Sequence, residues 1–379
     1  LNVWNRSLKD AGQYVHFGAT TVDIYDTVLT LQLIETVALN LNALRDLEGR
    51  LMDLAIEHKD TVMIGRTLGQ QALPITFGKK ISTWVAETRR NIERFKVVHN
   101  KLKKMSILKG AVGSYVGLGN SAMEVEKQFA KELGLAVPYI DDWHSARDVY
   151  AEYALAQALV AQSLARLGQE VYLLQMNEVN ELVERRPKKA VGSSTMPHKV
   201  NPSDSDALIY YGRTIRNKSG IILEDVVNFF ERDNTNRTKL TIKEINHDFS
   251  KLMDASHRLI KNLYVNSDQM MKNLTLSKGW VLSQRLVLAM SDKLGKTNAN
   301  AHLHSLAKRF HEDGISLFNA VKQDAVLKDL FSEEELAELL NPRTYLGLAA
   351  TQVDEIVKMS RIARAKEHTT LTVKSSKRL

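Results

Sequence analysis

The sequence contains no cysteine and only six prolines among its 379 residues. Without cysteine the chain can form neither disulfide bonds nor cysteine-ligated metal sites, which fits the reducing cytoplasm. It also lacks an uncharged apolar run of about eighteen residues, so no membrane-spanning segment is expected. The opening residues, LNVWNRSLKD, lack the basic-then-apolar pattern of a secretory signal. These absences predict a cytoplasmic protein that spans no membrane.

Positive charge is in modest excess, with 52 Lys and Arg against 44 Asp and Glu and a formal net charge of +8. The basic residues are spread along the chain, apart from small clusters at 101–104 and 374–379. This distribution is typical of a solvated surface with patches that attract a small anionic substrate. We therefore predict no nucleic-acid partner.

The long stretches between the prolines favour helices. Apolar residues recur at three- and four-residue spacing over 28–59, 76–108 and 146–184, and proline, which would break a helix, is absent from all three. Short alternating β-branched runs, which are typical of strands, are scarce. The predicted fold class is all-α, with most of the chain in long helices.

Residues 149–177 carry only three charged side chains, Glu152, Arg166 and Glu170. A helix that is apolar nearly all round is typical of one buried on every side. A bundle of several subunits buries such a helix readily, whereas a central helix in a large monomer is the alternative. We predict a tetramer that assembles through the helices at 76–108, 146–184 and 203–230.

Polar residues that suit a binding site are concentrated in the loops between these helices. One of these loops, VGSSTMPHKVNP at 191–202, resembles the signature loop of the fumarase/aspartase superfamily, G-S-S-x-M-P-x-K-x-N-P, at every fixed position. The stretches HFGATTVDIYDT and IGRTLGQQALPITFGKK are similar to the first and second conserved regions of its adenylosuccinate lyase and muconate cycloisomerase branch. Residues from LSKGWVLSQRLVLAMSDKLG to LNPRTYLG resemble the C-terminal domain of that branch.

The resemblance implies a long-helix bundle that forms a homotetramer, with each active site built from three subunits. It implies that residues 1–27 are the remnant of an N-terminal domain with the first conserved region. Residues 28–262 are then the central bundle, and residues 263–379 are a small C-terminal helical domain with a basic tail. Within the last domain, Ser332 is a predicted N-cap that pairs with Glu335. Because relatives carry roughly a further helical domain before the His16 region, we expect the sequence to be a fragment or to lack an N-terminal part.

The resemblance also implies the reaction, a β-elimination that releases fumarate, or its reverse. The intermediate is a carboxylate that has gained a second negative charge, and preorganised cations and donors stabilise such a species. Lys199 and Asn201 supply one cation and one amide donor. The resemblance makes Ser193 the base that removes the proton, provided that its alkoxide is stabilised by a positive environment such as Lys199.

The general acid stays open among three histidines, since Leu68 stands where many family members have His. His16 most resembles a substrate-binding histidine, His144 is adjacent to Arg147 and Asp148, and His198 lies in the signature loop. We assign the catalytic roles to Ser193, His144 and Lys199. The predicted substrate-binding residues are His16, Thr20, Thr21, Arg66, Thr67, Gln70, Ser194, Met196, Asn201 and Arg232.

The predicted function is a lyase that eliminates fumarate from a succinyl-substituted nitrogen compound, in the manner of an adenylosuccinate lyase. Residue 241 is Thr where such lyases have an Arg that helps to hold the nucleotide phosphate, which leaves phosphate binding open. Leu68 and the Trp143-His144 pair support an alternative, a 3-carboxy-cis,cis-muconate cycloisomerase. A non-catalytic member of the superfamily is the third possibility, against which the intact signature loop argues.

We predict no metal site and no organic cofactor. The sequence has no His-x-x-x-His pair, and its acidic residues form no cluster with the ligand spacing of a metal site. The family resemblance implies the same, since its elimination chemistry uses side chains alone.

Overall fold

The computed structural model describes residues 2–141, 143–185, 195–196, 198–311 and 313–367. Within these ranges the chain is mostly helical, and the all-α prediction is confirmed. The α-helices are α1 (Asn2–Ser7), α2 (Thr21–Glu57), α3 (Phe77–Leu102), α4 (Ala122–Glu132), α5 (Asp148–Leu174), α6 (Ser203–Glu224), α7 (Thr238–Asn262), α8 (Ser267–Thr275), α9 (Ser283–Leu294), α10 (Lys296–Phe310), α11 (Leu317–Gln323), α12 (Ala325–Leu330), α13 (Glu333–Leu339) and α14 (Ala349–Lys366).

Short strands form two antiparallel pairs that the sequence did not predict, and only the first of them is a hairpin. The first pair joins β1 (Val62–Thr67) to β2 (Gln70–Thr76), and the second joins β3 (Leu182–Glu184) to β4 (Leu263–Val265). Single turns of 3₁₀ helix occur at Trp280–Leu282 and Pro342–Thr344, and a longer one occurs at Lys9–Tyr14.

Four predicted helices have different ends in the structure. Helix α3 ends at Leu102 rather than at 108, and helix α6 ends at Glu224 rather than at 230. Helix α2 begins at Thr21 rather than at 28, because the Thr20 side chain and Asp23 form a capping box in which the Thr20 amide donates to Asp23 at 3.0 Å. Helix α5 ends at Leu174 rather than at 184, because the chain turns back and Leu182–Glu184 pairs with β4. The predicted N-cap at Ser332 is confirmed, with Glu335 completing the capping box.

The central core lies between five long helices, α2, α3, α5, α6 and α7. Its fully buried side chains include Leu33, Phe95, Tyr153, Ile215 and Phe249, one from each helix. Within the single chain, however, α5 is not buried on every side as its composition predicted. Its exposed apolar residues are Leu155, Leu159, Tyr172 and Leu173.

A second core lies among helices α8 to α13, with Leu286 and Met290 at its centre. The buried residues Val62 and Ile64 of β1 also belong to it, so the first hairpin joins the two cores. Helix α14 returns to the central bundle, where Val353 is fully buried. The domain boundaries given above stay a prediction.

Among the described residues, α2 is the one helix that is long and apolar enough to cross a membrane, with a window of mean hydropathy 1.3. Its side chains Leu33, Leu44 and Leu51 are nevertheless fully buried against neighbouring helices. The core helix of a globular protein has the same length and composition.

A buried ionic cluster fastens α14 to α2 and α3. Glu48 on α2 is fully buried and accepts hydrogen bonds from Arg89 Nε at 2.7 Å and Arg364 Nη1 at 3.0 Å. Arg89 also pairs with Glu367, which follows α14. Burial raises the pKa of Glu367, but Lys96 and Arg89 outweigh this effect and hold that pKa below its usual value.

Replacing Glu48 with Gln should destabilise the fold, because Arg89 and Arg364 lose a shared buried carboxylate. Breaking a buried ion pair on one side costs about 3–5 kcal/mol, so urea unfolding of Glu48→Gln should show a clearly lower midpoint. Glu35→Gln is the matched control, since Glu35 is an exposed residue of the same helix. Equal midpoints for the two variants would show that the cluster adds nothing to stability.

Candidate active site

The predicted site residues that the structure describes lie in two groups at opposite ends of α5. This helix has 27 residues, and at about 1.5 Å per residue it spans roughly 40 Å. His144 precedes its first turn, whereas Lys199 and Asn201 lie beside the turn that follows its last residue. Within one chain, His144 therefore lies far from Lys199.

His144 is buried and is held by two charged neighbours. Its Nδ1 lies 2.9 Å from Asp26 Oδ2, and Arg147 contacts both groups, donating to the same carboxylate oxygen at 2.5 Å. Burial raises the pKa of Asp26, but the hydrogen bond with His144 and the charge of Arg147 hold it below its usual value. Because Nδ1 is engaged, Nε2 is the nitrogen that can exchange a proton with a ligand.

Asp23 positions the loop that carries His16, Thr20 and Thr21. One of its oxygens accepts hydrogen bonds from the amides of Thr20 and Gly110, both at 3.0 Å, and the other accepts from Trp143 Nε1 at 3.2 Å. His16 itself is exposed and has a left-handed backbone, with φ of 66°. The two threonines thus stand at the N-terminus of α2, where backbone amides favour anions.

A cationic cavity of about 330 Å³ opens beside His144. Lys239 Nζ lies 3.9 Å from Asp26 Oδ1 and 4.3 Å from the centre of the Tyr25 ring. Burial lowers the pKa of Lys239, and the charges of Arg147 and Arg232 lower it further against the opposing effect of Asp26. Binding of an anion would reduce the repulsion among these positive charges. The lining residues are Val22, Tyr25, His144, Arg232, Asp233, Asn234, Asn236, Arg237, Lys239 and Leu240.

The second group lines a larger cavity, of about 730 Å³, at the other end of α5. Gln175 fixes the end of the signature loop there, because its Nε2 donates to the Val200 carbonyl at 3.2 Å and its Oε1 accepts from the Glu184 amide at 2.7 Å. Glu184 in turn accepts from the amides of Asp204 and Ser205, both at 2.9 Å. His198, Lys199 and Asn201 line the cavity, and Met196 is largely exposed just before them.

The first hairpin carries the remaining predicted ligands at the same end. Arg66 donates two hydrogen bonds to the fully buried Glu181, at 3.0 and 2.6 Å. Thr67 and Gln70 are exposed and flank the tip, where Leu68 has a left-handed backbone with φ of 51°. This conformation costs a non-glycine residue roughly 1–2 kcal/mol. Arg66 thus fixes the hairpin, and its contact with substrate stays a prediction.

The predicted base Ser193 and the predicted ligand Ser194 lie outside the described residues. The sequence reasoning overlooked three acids on which the site depends, Asp23, Asp26 and Glu181. The available signal was the pair Asp23 and Asp26, three residues apart at the start of an apolar helix, where buried carboxylates need partners. Over the described ranges, no group of three or more His, Asp or Glu side chains is arranged to hold a metal ion.

Comparisons with known proteins identify the family. A family model described as Lyase matches residues 3–216, and one described as Adenylosuccinate lyase C-terminus matches residues 279–356. The chain is 34% identical to adenylosuccinate lyase of Methanocaldococcus jannaschii, over 92% of this chain and 76% of that protein. It is 33% identical to N-acetyl-S-(2-succino)cysteine lyase of Enterococcus italicus, over 94% of this chain and 78% of that protein.

Two solved structures are similar to this chain over most of its length. The fumarate lyase from Mesorhizobium superposes with a TM-score of 0.86 at 29% identity, covering 93% of this chain and 80% of that one. The 3-carboxy-cis,cis-muconate lactonizing enzyme from Pseudomonas putida superposes with a TM-score of 0.85 at 30% identity, covering 93% of this chain and 78% of that one.

The Asp26 carboxylate should make stability depend on pH. Its folded-state pKa lies below the unfolded value of about 3.9, so its stabilisation is present above that pH and is lost as the pH falls through the folded-state pKa. At pH 7, Asp26→Asn should lower the free energy of unfolding by about 3 kcal/mol, because Arg147 is left unpaired.

The difference between wild type and Asp26→Asn should shrink when urea unfolding is repeated well below pH 4. Asp53→Asn, which alters an exposed carboxylate of the same helix, should cause only a small change at either pH. A difference that stays constant across this pH range would mean that Asp26 is not held as a carboxylate.

Proposed function

Since this chain belongs to the fumarase/aspartase superfamily of lyases, we propose that it eliminates fumarate from a succinyl-substituted nitrogen compound, as an adenylosuccinate lyase-like enzyme. The observation that carries the proposal is the cationic cavity beside His144, in a chain that matches an adenylosuccinate lyase over 92% of its length. Lys239 and Arg232 suit a polyanionic substrate, and His144 supplies a titratable nitrogen next to them.

Each of the two groups of residues carries out a different step of the elimination. Ser193 removes a proton from the carbon next to a carboxylate, and Lys199 and Asn201 stabilise the doubly charged intermediate. The electron pair then forms the carbon–carbon double bond as the carbon–nitrogen bond breaks. His144 gives its proton to the departing nitrogen, and Asp26 and Arg147 orient the ring for that step. The products are fumarate and the free amine.

The distance between the two groups supports a homotetramer with active sites shared between subunits. Because α5 keeps His144 and Lys199 apart in one chain, a complete site takes them from different chains. The exposed apolar residues Leu155 and Leu159 give α5 a face for that assembly. We extend the proposal to a cytoplasmic enzyme of purine biosynthesis that needs neither metal nor organic cofactor and has no nucleic-acid or membrane partner.

Two further substrates have specific support. N-acetyl-S-(2-succino)cysteine is favoured by relatives at 33% and 32% identity whose names give that activity. It is also favoured by Thr241, which stands where a phosphate-binding Arg is expected. A cycloisomerase acting on 3-carboxy-cis,cis-muconate is favoured by the structural neighbour at 30% identity, together with Leu68 and the Trp143-His144 pair.

A substrate panel tests the function directly. Adenylosuccinate, N-acetyl-S-(2-succino)cysteine and 3-carboxy-cis,cis-muconate are incubated separately with the enzyme, and double-bond formation or loss is followed by ultraviolet absorbance. We expect fumarate to be released from adenylosuccinate at the highest kcat/KM. Turnover confined to the muconate would replace the proposed elimination by cycloisomerisation, and turnover confined to the thioether would change the leaving atom from nitrogen to sulfur.

Ser193→Ala should lower kcat by at least about 10²–10³, the range found for one lost transition-state donor, while leaving KM nearly unchanged. Lys199→Ala should impair both constants, because the ammonium also attracts the resting carboxylate. Ser194→Ala is the matched control in the same loop and should act chiefly on KM. Near-normal kcat in Ser193→Ala would contradict the role of this serine as the base.

Mixing two inactive variants should restore activity if His144 and Ser193 of one site come from different chains. When equal amounts of Ser193→Ala and His144→Asn are unfolded and refolded together, about one quarter of the sites should receive both native residues by random assembly. Each variant refolded alone is the control and should stay inactive. Absence of recovery in a mixed tetramer would place both residues in the same chain.

A further inference from the structure

One oxygen of the Asp26 carboxylate is buried without a hydrogen-bond partner. The Asp26 residue is 2% exposed, and its Oδ2 is contacted by both His144 and Arg147. Its Oδ1 accepts no hydrogen bond from any residue in the described part of the chain. Buried polar atoms in folded proteins are nearly always paired, so an exception of this kind calls for an explanation.

Lys239 places its ammonium group near this unpaired oxygen. Its Nζ lies 3.9 Å from Oδ1, which is beyond hydrogen-bond distance, and 4.3 Å from the centre of the Tyr25 ring. The ammonium is therefore held beside the carboxylate by an aromatic face rather than by a direct hydrogen bond. A movement of about 1 Å by this flexible side chain would bring Nζ within hydrogen-bond distance of Oδ1.

The backbone that carries Lys239 is fixed independently of this contact. Lys239 lies in the first turn of α7, just after Arg237 and Thr238. The buried Asp225 accepts hydrogen bonds from the Arg237 amide at 3.0 Å and from the Thr238 hydroxyl at 2.5 Å. Because Asp225 holds the start of α7 beside the cavity, the approach of Lys239 to Asp26 is set by the fold.

Asp233 is a second carboxylate that lines this cavity, and its charge also acts on His144. Its oxygens are already used within its own loop. They accept hydrogen bonds from the Phe229 amide at 2.5 Å and from the Thr235 amide at 2.8 Å. Between the two carboxylates, Asp26 is therefore the one with an oxygen left for Lys239.

Two arginines add positive charge around Asp26. Arg147 donates to its Oδ2, and Arg232 lines the cavity. Burial lowers the pKa of Lys239, the charge of Asp26 opposes this effect, and the two arginines reinforce it. Several cations thus share one carboxylate, and each of them weakens the attraction of that carboxylate for the proton of His144.

We propose that Lys239 is a positioning residue that acts on His144 through Asp26, by pairing with the free Oδ1 when substrate occupies the cavity. The inference rests on the proposed function, in which His144 gives its proton to the departing nitrogen. As that proton leaves Nε2, the ring becomes neutral and Asp26 loses one cationic partner. The ammonium of Lys239 then offsets the carboxylate charge, which makes release of the proton easier. Lys239 keeps its own protons, so a single proton moves in this step.

Removing the charge of Lys239 should move the alkaline limb of the pH dependence of kcat. In Lys239→Met, Asp26 holds the proton of His144 more tightly, so the limb should lie roughly one pH unit higher. The plateau of kcat should fall about three- to tenfold, because the tighter hold also slows proton donation. Lys239→Arg keeps the charge and should return the limb to its wild-type position.

Two controls separate this role from simple binding and from loss of folding. Lys243→Met removes the same charge from an exposed position one turn further along α7, and its profile should match that of wild type. The Lys239 side chain is 45% exposed, so urea unfolding of Lys239→Met should keep a midpoint near the wild-type value. A raised KM with an unmoved limb would make Lys239 only a substrate ligand and would overturn the inference.

A crystal structure of Ser193→Ala with adenylosuccinate bound tests the contact itself. We expect Lys239 Nζ within about 3.2 Å of Asp26 Oδ1 in that complex. A distance that stays near the 3.9 Å of the free chain would contradict the proposed pairing.

His144→Asn distinguishes failure of this inference from failure of the proposed function. We expect the alkaline limb to disappear in this variant, because its acid is gone. If the limb disappears there but does not move in Lys239→Met, only the role of Lys239 fails. If His144→Asn keeps both the limb and near-normal kcat, His144 is not the acid, and the proposed mechanism fails together with the inference.

Discussion

The length of α5 is the constraint on which the organisation of this molecule depends. A helix of 27 residues holds the His144 cluster at one end and the end of the signature loop at the other. Its length separates the described residues of the two groups by roughly 40 Å. In the proposed homotetramer, neighbouring chains complete the site, and the apolar residues exposed along α5 and α6 give those chains a surface on which to pack.

Buried carboxylates fix the functional loops at both ends of that helix. Asp23 and Asp26 hold the Thr20 loop and His144, while Glu181 and Glu184 hold the hairpin and the start of α6. Each carboxylate accepts several hydrogen bonds, which offsets the cost of removing its charge from water. An apolar residue at the same position would pack without needing hydrogen-bond partners and could make the fold more stable. It would, however, leave the loop without an anchor, so the carboxylates serve to place the loops precisely.

Sequence periodicity predicted the fold class and four of the long helices, α2, α3, α5 and α6, because apolar spacing reports directly on the buried face of a long helix. It did not predict α7, which has 25 residues. Local sequence patterns also predicted the N-cap at Ser332, because its partner Glu335 is only three residues away. The contacts that build the site are of another kind. His144 meets Asp26 across 118 positions, and such pairs depend on tertiary packing that no local pattern encodes. The early end of α5 at Leu174 has the same origin, since the pairing of β3 with β4 outweighs an apolar helical pattern.

The hairpin tip bears on both the proposed assembly and the proposed chemistry. Leu68 is fully exposed among the described residues of its own chain, so packing within that part of the chain does not select its identity. Leucine cannot transfer a proton, which leaves proton donation in the proposed mechanism to a group such as His144 at the other end of the bundle. An acid held by Asp26 and Arg147 is fixed in place before substrate arrives, whereas a hairpin that contributes only an apolar surface needs no titratable group of its own. In the proposed mechanism, binding and proton transfer thus fall to different subunits, and the proposed site is complete only where the two ends of neighbouring bundles meet.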